Sequence, residues 1–62
     1  MEITLMDNEF CKLNKTVSHE GNEMYEVKSN ITGKVLFNSF YEELAIRAYN
    51  SESIIAWENI NK

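Results

Sequence analysis

Proline is absent from this 62-residue chain, glycine occurs twice, and cysteine and tryptophan occur once each. A single cysteine, Cys11, excludes an intrachain disulfide, and with one histidine there is no Cys/His cluster to hold zinc. The two glycines, Gly21 and Gly33, lie too far apart for a phosphate-cradling loop. No long apolar run exists: the longest, Ile54 to Trp57, falls far short of a bilayer span. The start, Met1-Glu2-Ile3-Thr4, has neither the basic nor the apolar region of a signal peptide. Together with the lone thiol, this leads us to expect a cytoplasmic protein of a bacterium or an infected host cell. An excess of base is also lacking. Ten acids against six bases give a net charge of -4, which argues against nonspecific binding to nucleic acid or to an anionic membrane.

Catalytic groups are equally sparse. His19 is the only histidine, and its only thiol partner would be Cys11. On an extended segment, residues eight apart are separated by about 26 Å, so the two could not meet without a sharp reversal. Glu42 and Glu43 are neighbours on a predicted helix and diverge. Glu20, Glu23 and Glu26 are poorly placed to bind a metal from a hairpin. We therefore expect no enzyme activity, no metal and no cofactor. Cys11 reads as a small buried hydrophobe. Two Asn-x-Thr triplets, at Asn14 and Asn30, are chance matches in a chain with eight Asn. That Asn-, Ile-, Lys- and Glu-rich composition is what AT-rich codons produce, and it points to a low-GC bacterium or one of its phages or mobile elements.

What is present is a scaffold. The size predicts one domain over residues 1–62, which buries only about 60% of the surface its unfolded chain exposes. Tyr25 and Val27, then Val35 and Phe37, alternate with more polar neighbours and predict two strands. Between them, Asn30-Ile31-Thr32-Gly33-Lys34 suits a three-residue loop, 31–33, with Gly33 at positive φ. That register sets Val27 opposite Phe37 and Ser29 opposite Val35. Upstream, a turn at Glu20-Gly21-Asn22 pairs His19 with Glu23 and Val17 with Tyr25. Leu13–His19 then becomes an edge strand, guarded by an inward Lys15. Residues 2–6 offer another short strand through Ile3 and Leu5. A helix through Leu5, Met6, Glu9, Phe10 and Leu13 is the alternative for the N-terminal region.

Downstream, Ser39-Phe40-Tyr41-Glu42 reads as a capping box. Phe40, Tyr41, Leu44, Ala45, Ala48 and Tyr49 then form one apolar stripe at helical spacing. Glu43 and Arg47 are spaced for an ion pair, and Asn50-Ser51 is a plausible end. Ile54, Ile55 and Trp57 favour a final strand by their β-branching and aromaticity, with a second helical turn capped by Ser51 or Ser53 as the alternative. Trp57 is expected in the core, with an exposed interface anchor as the alternative. The fold class is therefore α+β: a small antiparallel β-meander of two to four strands packed on one amphipathic helix, about residues 40–49.

The functional expectation is a non-enzymatic protein-interaction module that binds a host or partner protein and modulates it by occlusion. Ile46 falls opposite the apolar stripe, so the outer helix face, Glu42, Glu43, Ile46 and Arg47, is the first candidate surface. Lys15 and Val17 are the second, by strand addition. A nucleic-acid-associated regulator using Lys12, Lys15, Lys28 and Lys34 is the alternative. A structural homo-oligomer is a third reading, and a homodimer is compatible with the first.

Overall fold

A computed structural model describes residues 1–61. Four strands, β1 (Glu2–Asp7), β2 (Cys11–Val17), β3 (Glu23–Ser29) and β4 (Val35–Ser39), precede one helix, α1 (Glu42–Ile60). The strands pair antiparallel in chain order, as an uninterrupted meander. The helix packs against β2, β3 and β4 on one face of the sheet. This is the expected small α+β architecture.

The core is small. Cys11 and Leu13 from β2, Tyr25 and Val27 from β3, and Ala45 and Tyr49 from α1 are buried together. Met6, Phe37, Ile46 and Ala48 pack around them. Cross-strand partners share a face, and Leu13 pairs with Val27, so the two sit side by side beneath the helix. Each such fully buried aliphatic side chain stabilises the fold by roughly 1.5–3 kcal/mol. Ala45 allows the helix to approach closely.

Three turns set the registers. Asn8 caps the β1–β2 turn: its Oδ1 accepts from the N–H groups of Phe10 and Cys11 at 2.7 and 2.9 Å. In the β2–β3 turn, Ser18 and Asn22 close a loop that ends on Gly21 at φ 87°. The pairing is therefore Val17 with Glu23 and Lys15 with Tyr25, two residues from the expected register. A slip of two keeps every side chain on its face, which is why the inward set Leu13, Lys15, Val17, Tyr25 and Val27 survives it. In the β3–β4 turn, Ser29 pairs with Lys34 and its Oγ accepts from the N–H groups of Ile31 and Thr32, both at 3.1 Å. The loop is thus 30–33, one residue longer than expected, again with a glycine of positive φ, Gly33, in last place. The extra residue is absorbed as a bulge around Leu36. Val27 still faces Phe37, but Val35 moves opposite Lys28, off the helix-covered face.

Other expectations are corrected. β2 is an inner strand, because β1 pairs along it, so Leu13–His19 is no edge. The free edges are β1, bulged around Leu5, and the five-residue β4, bulged around Leu36. Both are short and irregular, which hinders strand addition. The Ser39–Glu42 capping box does not form. Ser39 ends β4, its Oγ accepts from the N–H of Tyr41, and Tyr41 is the N-cap without a side-chain cap bond. Phe40 and Tyr41 consequently sit in the connection and are exposed, as is Leu44.

Residues 53–60 are helix, not strand. Each added helical residue gains one backbone bond once a nucleus exists, and no Gly or Pro interrupts the run. A strand there would need a chain reversal at Asn50-Ser51, which has neither Gly nor Pro to enforce it. Ser53, weighed as a cap, lies mid-helix and donates to the Tyr49 carbonyl at 2.8 Å.

Candidate functional site

Helix and sheet differ in length. Nineteen helical residues span about 28 Å, whereas strands of five to seven residues span about 17–23 Å. The helix starts at the β4 end of the sheet and crosses toward the β1–β2 turn, and its last turns run past it. The fold is correspondingly elongated, 45 × 19 × 15 Å.

The crossing point is locked by a polar node. Asn8 Nδ2 donates to Ser53 Oγ at 2.9 Å, while the Ser53 hydroxyl donates to the Tyr49 carbonyl. Cys11 Sγ lies 3.0 Å from Ser53 Oγ. The Cys11 thiol also lies 3.7 Å from the Tyr49 carbonyl, so the thiol and the Ser53 hydroxyl, with one proton each, share that carbonyl and each other as acceptors. Asn8 has its amide orientation set by the two backbone N–H groups that its oxygen accepts. Asn30 braces the same end, donating from Nδ2 to Asp7 Oδ1 at 2.9 Å and to the Asn8 carbonyl at 2.7 Å. Cys11 is therefore a buried, hydrogen-bonded packing residue. The extended β2 separates it from His19, which lies beyond the opposite end of the strand.

Beside this node is an open groove of about 400 Å³, lined by Asn8, Glu9, Phe10, Ser53, Ile54 and Trp57. Trp57, expected in the core, is 54% exposed here. The reason is geometric: no strand lies opposite it. Ile54, Ile55 and Ile60 are exposed on the same overhanging turns. An aromatic pair and an isoleucine on a rigid support form the kind of apolar, partly aromatic surface that protein interfaces use as anchors.

The sequence-predicted site residues fall elsewhere. Glu42, Glu43 and Arg47 are exposed on the first turns of α1, but the Glu43–Arg47 pair is not closed. Glu42 and Glu43 favour the helix N-terminus through its dipole. Ile46, expected outward, packs half-buried against the core, because the helix faces the sheet through Ala45 and Tyr49 rather than through Phe40 and Leu44. Lys15 and Val17 lie on the helix-covered face of an inner strand, so neither offers a free edge. Lys15 instead forms a 2.7 Å ion pair with Glu23, and the Tyr25 hydroxyl donates to the same carboxylate at 3.3 Å. The Lys15 ammonium holds the Glu23 carboxyl below its usual range, and the bond to Glu23 raises the Lys15 ammonium above its own. Burial pushes the Tyr25 and Tyr49 phenols up. The structure thus brings Lys15 near Glu42 at one end of the helix and leaves Phe10, Ile54 and Trp57, which sequence reasoning did not select, at the other.

The uncovered sheet face is mainly polar, with Met24 and Val35 as exposed apolar residues on it. Asn14 is buried there, its Oδ1 accepting from Thr4 Oγ1 at 2.8 Å. Lys12 stands directly opposite Lys28 on that face. Tyr25 is buried under the helix, and Phe37 packs against the same core, so neither offers a base-stacking platform. Among the described residues, no group of three or more His, Cys, Asp or Glu could hold a metal ion, and no helix is long and apolar enough to cross a membrane. No protein family, curated protein or solved structure matches this chain.

Proposed function

We propose that this protein is a non-enzymatic interaction module, an accessory protein of a bacterium or of one of its phages or mobile elements, that binds a partner protein and modulates it by occlusion. The observation that carries this reading is the groove between Phe10 and the overhanging turns of α1, with an exposed Trp57 beside a hydrogen-bonded node. Exposed tryptophan on a rigid element is a costly surface residue for a small domain, and it is the side chain most enriched among interface hot spots. A partner that inserts an apolar side chain between Phe10 and Trp57 desolvates both rings. Glu9 on the rim suits a basic residue flanking that anchor.

The test is capture of partners from lysate with and without nuclease treatment, with wild type and with the variant Phe10→Ser/Trp57→Ser. Both side chains sit at the groove, outside the buried core, so the variant retains the fold by circular dichroism. A stoichiometric protein bound by wild type and lost from the variant supports the reading. Equal capture by both removes the groove from it. Binding that vanishes only on nuclease treatment would favour the nucleic-acid reading, with Lys12 and Lys28 as phosphate contacts.

A further inference from the structure

The groove beside the polar node is apolar in its floor and acidic at both rims. Phe10, Ile54 and Trp57 supply the apolar surface, and Glu9 lines the wall next to Phe10. On the helix wall, Glu58 follows Trp57 and stands one turn beyond Ile54, on the same side of α1. Both carboxylates are exposed, and neither makes an ion pair among the described residues. No lysine or arginine lines the groove. Lys12 and Lys28 stand on the other face of the sheet, and Lys34 closes the β3–β4 turn. Arg47 lies seven residues before Ile54, about 10 Å back along the helix.

The backbone adds to this field. The groove lies toward the C-terminal end of α1, where the aligned peptide dipoles leave partial negative charge. The last turn of the helix carries no basic side chain to offset it. Asn61 closes that turn with neutral donors, its N–H and its Nδ2 bonding the Trp57 carbonyl at 3.0 and 2.9 Å. The apolar floor by itself accepts any hydrophobic side chain. Two carboxylates and a helix C-terminus around it select by charge. A segment with Arg or Lys beside its anchor is attracted at both rims, whereas one with Asp or Glu is repelled there. An arginine guanidinium in addition stacks on an exposed indole.

We infer that the occupant of this groove is a basic segment of a partner protein, an apolar anchor flanked on both sides by Arg or Lys, with Glu9 and Glu58 facing the flanking cations. The inference rests on the groove being the interaction site and adds the charge of what enters it.

Trp57 is the only tryptophan, so its fluorescence reports on the groove directly. The test titrates the full chain with three short synthetic peptides that share a central leucine, flanked on both sides by arginines, by serines or by glutamates. At low salt the arginine peptide is expected to shift Trp57 emission to the blue. It should bind about three- to tenfold more tightly than the serine peptide, and the glutamate peptide more weakly than either. Salt at about 0.5 M should narrow the gap. In Glu9→Gln/Glu58→Gln the arginine preference should be lost while the serine peptide binds as before. Glu20→Gln/Glu43→Gln makes the same change in net charge at the other end of the fold and should keep the preference. All four glutamates are exposed, and circular dichroism verifies the fold of each variant. Equal binding of the three peptides overturns the inference and leaves the groove standing as an apolar contact. A control variant that loses as much preference as the groove variant also overturns it, since the attraction then belongs to net charge. A Trp57 signal that responds to no peptide overturns the inference and the groove reading together.

Discussion

The two halves of α1 are the same helix under different conditions. Residues 42–49 lie over the sheet and bury Ala45 and Tyr49 against Leu13 and Val27. Residues 54–60 are the more apolar half, with three isoleucines and a tryptophan, yet all four side chains are exposed. Hydrophobicity therefore did not decide which half is buried. What decided it was whether a strand lay opposite. The strands are too short to reach the last turns of the helix, and the Asn8–Ser53–Cys11 node marks where support ends. The apolar surface left open there, Trp57 included, is what the proposed interaction site rests on.

The comparison breaks first at the core. Leu13→Ala is expected to cost about 2–5 kcal/mol, lost transfer energy plus cavity, in urea unfolding of dilute protein. Ile54→Ala should change stability by less than about 0.5 kcal/mol. Equal effects at the two positions would mean that the overhanging turns are as much a part of the cooperative core as β2. Next in size is the node between the halves. Asn8→Ala removes the acceptor of two backbone N–H groups and the donor to Ser53, and should cost about 1–3 kcal/mol. It should also speed amide hydrogen exchange in residues 54–60 more than in 45–49. Uniform acceleration would show that the node does not divide the helix.

The smallest effect concerns the supported end. Glu23 titrates below, and Lys15 above, its ordinary range because each binds the other. Glu23 therefore contributes stability above the usual carboxylate range, and that contribution is lost as pH falls through its depressed value. The Lys15 contribution is present below the usual lysine range and is lost as pH rises through its raised value. The pair acts in the window between, and salt should weaken it. In Lys15→Met, the Glu23 titration followed by NMR should move back up to the ordinary carboxylate range. An unmoved midpoint would assign the depression to another group.

Parts of this arrangement are legible in the sequence because they rest on local rules. Gly21 and Gly33 each announce a turn that needs positive φ. Period-two alternation puts Leu13, Tyr25, Val27 and Phe37 on one face, and that assignment outlived a two-residue slip in one hairpin. Val35 shows the limit. A side-chain cap by Ser29 lengthened the loop by one, a bulge absorbed the extra residue, and one strand position changed face. No periodicity reveals which of two neighbouring serines or asparagines will close a turn. The strand propensity of Ile54, Ile55 and Trp57 misleads for a different reason: it describes fit to a half-buried pleated surface, and no sheet edge was there to receive them.

By itself the sequence determined a small α+β domain: a meander with two glycine turns, an inward face built on Leu13, Tyr25, Val27 and Phe37, and a helix through Ala45 and Tyr49. Those features follow from backbone preferences and from side-chain period, which act over a few residues. Only the tertiary structure decided that β1 covers β2, that the helix continues to Ile60, and that Phe10, Ile54 and Trp57 meet in a groove. The extent of the helix and the meeting of Phe10 with Ile54 and Trp57 depend on the length of one element measured against another far away in the chain, a quantity that no local pattern carries.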